Sequence, residues 1–130
     1  MTAKYARLTN PPHTRARGEL IEQAACAYLR RAGLNLLSQN WHCRYGELDL
    51  VMRERDTVVF IEVRYRRDNR FGGALASIDQ RKQHKLINSA QAWLQANAKW
   101  SHLACRFDTI SASGPEHQPQ LEWLRDAFRP

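Results

Sequence analysis

A chain of 130 residues, 43% of them hydrophobic, has room for one domain with a single sizeable core. No apolar run approaches a membrane-crossing length, and Met1-Thr2-Ala3-Lys4-Tyr5-Ala6-Arg7 has no signal-peptide core, so no membrane partner is expected. The formal charge of +7 points instead to phosphate polymers or an anionic surface.

Residues 1–14, with Asn10-Pro11-Pro12-His13 and no apolar periodicity, are expected to form a flexible basic tail ahead of a domain at 15–130. From about Arg15 to Ala32 the spacing predicts a helix. Its apolar stripe would be Leu20, Ile21, Ala24, Ala25, Tyr28 and Leu29, with Gly33 as the stop. Leu34 to Arg44 reads as a first strand, in which Trp41 is a packing residue. Cys26, Cys43 and Cys105 are odd in number and lack Cys-x-x-Cys spacing. They support neither a zinc site nor a disulfide framework, and reduced thiols in the cytoplasm are the simplest account.

The next stretch organises the rest. In Gly46-Glu47-Leu48-Asp49-Leu50-Val51, alternation puts Glu47, Asp49 and Val51 on one side of a strand and Leu48, Leu50 and Met52 on the other. Arg53-Glu54-Arg55-Asp56 reads as a short hairpin loop. Val58-Val59-Phe60-Ile61 is apolar and mostly β-branched, the pattern of a strand buried on both faces. Pairing the two runs about that loop brings Asp49 near Glu62, and Glu62 shares a face with Arg64. Carboxylates at the end of an apolar strand need a cation, a metal or a raised pKa. Two converging acids suit a hard divalent ion such as Mg2+ or Mn2+, which takes oxygen ligands and substrate phosphate together.

Arg66 to Ala76 reads as a loop in which Gly72 and Gly73 serve turn geometry. Ser77-Ile78-Asp79-Gln80 resembles a capping box opening a helix to about Ala96, with Leu86, Ile87, Ala90, Trp93 and Leu94 as its buried stripe. Leu103 to Ser111 reads as a fourth strand, with Asp108 satisfying backbone or an arginine. Leu121 to Leu124 reads as a short last strand, followed by a closing turn at Asp126 to Arg129. Basic residues cluster before Glu19 (Lys4, Arg7, Arg15, Arg17), just after Glu62 (Arg64, Arg66, Arg67, Arg70) and in the second helix (Arg81, Lys82, Lys85). Arg66, Arg67, Arg70, Arg81, Lys82 and Lys85 would form a nucleic-acid-binding rim around the acids. Helix, three strands, helix, then one or two strands defines an α/β domain with a mixed central sheet and a right-handed crossover.

Gly46-Glu47-Leu48-Asp49-Leu50-Val51 followed by Val59-Phe60-Ile61-Glu62-Val63-Arg64 resembles the core of the YraN-like bacterial proteins. These are similar to Holliday-junction resolvases of the PD-(D/E)xK nuclease superfamily. The resemblance runs from about Arg17 to Phe128 and takes in Gly18-Glu19, Tyr28-Leu29, Gly33, Asn40, Phe71-Gly72, Lys82, Arg106-Phe107-Asp108 and Ala127-Phe128. It implies a restriction-endonuclease-like fold and a metal-dependent endonuclease acting on branched or structured DNA, with homodimeric pairing of two sites. It also implies a metal held by Asp49, Glu62, the Val63 carbonyl and Glu19, with Glu47 as a secondary contact. One position departs from the pattern: Arg64 stands where the family has lysine. Arginine stays protonated, so it can clamp a phosphate but cannot act as a base. That departure leaves two alternatives to a nuclease, a non-catalytic nucleic-acid-binding module and a protein-interaction role.

Overall fold

The computed structural model describes residues 12–66 and 78–130, with side chains from residue 15 onward in the first helix. Helix α1 is Pro12–Arg31, followed by β1 (Asn35–Cys43), β2 (Gly46–Glu54) and β3 (Thr57–Arg66). Helix α2 (Gln80–Ala96) and a 3-10 turn (Ala98–Trp100) lead to β4 (Ala104–Ser113) and β5 (Gln120–Phe128). The strands form one mixed sheet in the order β1-β2-β3-β4-β5. All neighbours are antiparallel except β3 and β4, which run parallel in unbroken register from Thr57↔Ala104 to Arg66↔Ser113. This is the expected restriction-endonuclease-like α/β architecture, a mixed sheet carrying two helices. Among the described residues, no helix is long and apolar enough to cross a membrane.

Local chemistry explains the ends of the elements. Helix α1 begins at Pro12, inside the segment expected to be tail, because proline suits a first helical position with no N–H to satisfy. It stops at Gly33, whose φ of 103° permits a double closure: Gly33 N–H donates to Arg30 O and Leu34 N–H to Leu29 O. The β2–β3 turn is tighter than expected. Glu54 pairs with Thr57, leaving only Arg55 and Asp56 in the turn, with Arg55 at φ 54°. The N-cap of α2 is Asp79, whose Oδ1 accepts from Lys82 N–H (2.8 Å). The expected Ser77 cap lies outside the described residues. β5 is a nine-residue strand rather than a short one, running through the expected closing turn.

The sheet separates two apolar layers. Towards α1 lie Ala25, Cys26, Leu29, Leu34, Leu50, Met52, Val59, Ile61 and Ile110. Towards α2 lie Leu48, Val51, Val58, Phe60, Leu86, Ala90, Trp93 and Phe107. Trp93 is wholly buried and its indole N–H donates to Ser38 Oγ (2.9 Å). Trp41 packs on this layer, as expected of a packing residue. Val58 to Ile61 are all at most 2% exposed, which confirms a strand covered on both faces.

Two expectations about faces are corrected. The α1 stripe is rotated: Ile21, Ala25, Cys26 and Leu29 are buried, whereas Leu20 is 43% exposed. In β2, strict alternation breaks at Asp49. Leu48 and Val51 face α2, while Leu50 and Met52 face α1. Asp49 groups with Glu22 of α1, so Asp49 and Leu50 lie consecutively on the α1 side. The β1–β2 ladder passes from Gln39↔Leu50 to Trp41↔Leu48, skipping Asn40 and Asp49. The offset is the same on both sides, so these two residues leave the ladder without a register shift; the shift in β1 lies earlier, between Leu36 and Ser38.

Asp108, in the middle of β4 opposite Ile61, behaves as expected of a residue that satisfies backbone and an arginine. It is 1% exposed. It accepts from Arg106 Nε and Nη2, Trp123 Nε1 and Asp126 N–H, at 2.9 to 3.1 Å. Asp126 adopts φ 53° at a break in the β4–β5 register, where its amide meets that carboxylate.

Candidate functional site

The site forms where β2 and β3 part. Their ladder ends at Leu50↔Ile61, and the next polar group on β2 is Asp49. Val63 N–H donates to Asp49 Oδ2 (2.9 Å), so the aspartate closes the open end of the ladder. In an extended strand a residue's N–H and C=O leave on the same side, so the Val63 carbonyl also turns toward β2. Glu22, Glu47 and Asp49 each bring one carboxylate oxygen to this point, all within 4.8 Å of one another and all partly buried.

Electrostatics record the crowding. The Glu22 carboxyl is pushed from its ordinary 4.5 to about 7, first by burial and then by the charge of Glu47, with smaller contributions from Glu62 and Glu19. A hydrogen bond from Asn40 works against that rise. Asp49 is raised well above the ordinary aspartate range by burial and then by Glu62, against the pull of the Val63 amide. Glu47 lies 3.9 Å from His42 Nδ1, its cross-strand partner. Glu62, on the α2 side, has Lys82 Nζ 3.4 Å from its Oε2.

The residues singled out from sequence therefore divide. Asp49, Glu47, Val63 and Glu62 converge at one end of the sheet. Glu19 does not join them: it is exposed and reaches the group only as a neighbouring charge on Glu22. Glu22, one turn further along α1, takes the place expected of Glu19. The signal was present in the sequence, because Glu22 stands three residues before Ala25 and seven before Leu29, both wholly buried. Arg64 is two residues beyond Glu62 on β3 and is partly buried. Lys82 pairs with Glu62 at the edge of the acidic site while its side chain stays 44% exposed. Arg66, Arg81 and Lys85 are exposed, while Arg67 and Arg70 lie outside the described residues.

The donor set fits a hard divalent cation. Partly buried carboxylate oxygens and a strand carbonyl are what Mg2+ or Mn2+ accepts, and burial first and neighbouring acids second raise the Glu22 and Asp49 carboxyl pKa values. A mixed sheet with two helices and acids gathered where the central hairpin opens defines a restriction-endonuclease-like α/β domain. The profile of the Uncharacterised protein family UPF0102 matches residues 21–112. The chain is 50% identical over 123 residues to a UPF0102 protein of Pseudomonas aeruginosa, covering 93% of this chain and 98% of that one. A UPF0102 protein of Stutzerimonas stutzeri is 52% identical over 111 residues (85% and 92% covered), and one of Nitrosococcus oceani 48% over 119 (92% and 96%). The chain belongs to the UPF0102 family, the YraN-like proteins.

Proposed function

We propose that this protein is a metal-dependent endonuclease-like protein acting on branched or structured DNA. The observation that carries the proposal is the convergence of Glu22, Glu47 and Asp49 within 4.8 Å, beside Glu62 and at the end of the sheet nearest exposed basic residues. Asp49, Glu22, Glu47 and the Val63 carbonyl would hold Mg2+ or Mn2+, with Glu62 alongside. A divalent cation held there neutralises charge on a phosphate and lowers the pKa of a bound water. Glu62 orients Lys82 toward the same point, where its ammonium can meet a phosphate oxygen. Arg64, on the face that carries Glu62, clamps a phosphate with its planar fork. Arg66, Arg81 and Lys85, together with Arg67 and Arg70, hold the flanking backbone. Cutting both strands of a symmetric branch takes two sites, so a homodimer belongs to this reading. Three cysteines free of disulfides suit a reducing cytoplasm.

Arg64 favours one second reading, a nuclease-like fold that binds nucleic acid without cutting, since a guanidinium cannot act as a base. Single-turnover assays on four-way, flap and duplex DNA in Mn2+ separate the two. Cleavage by the wild type and none by Asp49→Asn/Glu62→Gln supports the enzyme. Salt-dependent binding by both proteins without cleavage by either supports the binding module.

A further inference from the structure

Asn40 lies in the interior of β1 yet has φ 51°, in the left-handed region. Strand residues are extended, and a non-glycine residue at positive φ in a strand costs backbone energy. The turn that follows does not require it, because that turn lies beyond Cys43, at Arg44-Tyr45. Strand register does not require it either: Gln39↔Leu50 and Trp41↔Leu48 keep the same offset on both sides of the excursion. What the excursion does change is aim. The partly buried Asn40 side chain crosses to α1 and hydrogen-bonds the Glu22 carboxylate, while Asp49, the residue opposite it in β2, joins the same acidic group.

We infer that Asn40 is a positioning residue, whose left-handed backbone turns a neutral amide donor onto Glu22 and sets that carboxylate against Asp49 and Glu47 for a divalent cation. The inference rests on the metal reading above and adds a residue outside the ligand set. The side-chain type suits the task. Asparagine tolerates the left-handed region better than other non-glycine residues. Its NH2 group orients a carboxylate without neutralising it, whereas lysine or arginine would place a fixed cation where the metal belongs. Groups that orient metal ligands typically contribute ten- to a hundredfold to affinity. The charged groups that face Glu22 are Asp49, Glu47, Glu62 and Glu19, all acidic.

The test is Mn2+ affinity by calorimetry for wild type, Asn40→Gly, Glu22→Gln and the double variant, with thermal midpoints recorded in parallel. Glycine keeps the left-handed backbone and removes only the amide. Asn40→Gly is expected to retain a midpoint close to wild type and to bind Mn2+ about tenfold more weakly. In the Glu22→Gln background the same change is expected to have no further effect, because its partner carboxylate is already gone. Unchanged affinity in Asn40→Gly overturns this inference and leaves the metal reading standing. An equal loss in both backgrounds also overturns it, since the residue would then act through something other than Glu22. Absence of Mn2+ binding in the wild type overturns the metal reading and this inference together.

Discussion

Replacing Glu22 by glutamine measures the electrostatic load of the site without any assumption about cleavage. In the folded chain Glu22 holds its proton up to about pH 7, whereas an unfolded glutamate loses it near 4.5. Between those values the folded state binds more protons, so stability falls as pH rises through that window. Below it both states are protonated and the penalty vanishes; above it both are ionised and the penalty is complete. A rise from 4.5 to about 7 corresponds to about 3 kcal/mol. The carboxylate is only partly buried, so solvent screening reduces this to about 1–2 kcal/mol. Asp49 is shifted in the same direction and steepens the same slope.

Glutamine removes the charge and keeps an oxygen for the Asn40 amide. Glu22→Gln should therefore raise the thermal midpoint at about pH 8 by roughly 4–8 °C, taking about 4 °C per kcal/mol for a chain of this size. At about pH 4, below the window, the two proteins should melt nearly together. Millimolar Mn2+ at the higher pH should raise the wild-type midpoint by RT ln(1 + [L]/Kd) and the variant's by less. Differential scanning calorimetry at both pH values, with and without Mn2+, reads all of this. Equal stabilisation by Glu22→Gln at both pH values would refute the reasoning, because the gain would then be packing rather than charge.

Four further outcomes are expected. Arg64→Lys should raise single-turnover cleavage of four-way DNA about a hundredfold if the guanidinium hinders water activation, and lower it if Arg64 clamps phosphate; in either case Lys82→Met should reduce cleavage because the site loses the ammonium that Glu62 orients toward phosphate. DNA affinity should fall steeply with salt, and removing one of Arg66, Arg81 or Lys85 should shrink the log-log slope by about 0.9, read by fluorescence anisotropy; an unchanged slope removes that residue from the interface. Asp108→Asn should cost about 1–3 kcal/mol in urea unfolding with the m-value unchanged, since Arg106 keeps Glu54 but one of the donors from Trp123 and Asp126 meets an amide NH2.

Much of the architecture was legible because it rests on local patterns. Val58 to Ile61 read as doubly covered from their β-branched apolar run, and the structure buries all four. The α2 stripe read from Leu86, Ala90 and Trp93 is the one that packs. The sequence pattern predicts a short β5 because Arg125 and Asp126 interrupt the apolar alternation after Leu124. At a sheet edge such charges face solvent, and Arg125 reaches Glu54 while Asp126 takes Arg129, so pairing with β4 alone carries the strand.

The site was half legible for a reason that also bears on its chemistry. Asp49 and Glu62 could be paired from the hairpin, since strand register converts sequence distance directly into space. Helix residues carry no such constraint. Adjacent residues on α1 differ by about 100°, and with Leu20 and Ile21 both apolar the stripe could be centred on either. The resemblance singles out Glu19, which lies beside that stripe; the packing of Ile21, Ala25 and Leu29 brings Glu22 to Asp49 and Glu47. Lys82 was hidden differently. It belongs to a run of cations that reads as one solvated face, yet the crossover from β3 to β4 sets the first turn of α2 against Glu62. A lysine paired with Glu62 and an arginine two residues past it give this site two cations of different character. The ammonium is a compact point charge held by Glu62, while the guanidinium is a planar fork that matches a phosphate. If the site cuts DNA, Lys82 and Arg64 are the side chains placed to meet the scissile phosphate, the first from α2 and the second from β3.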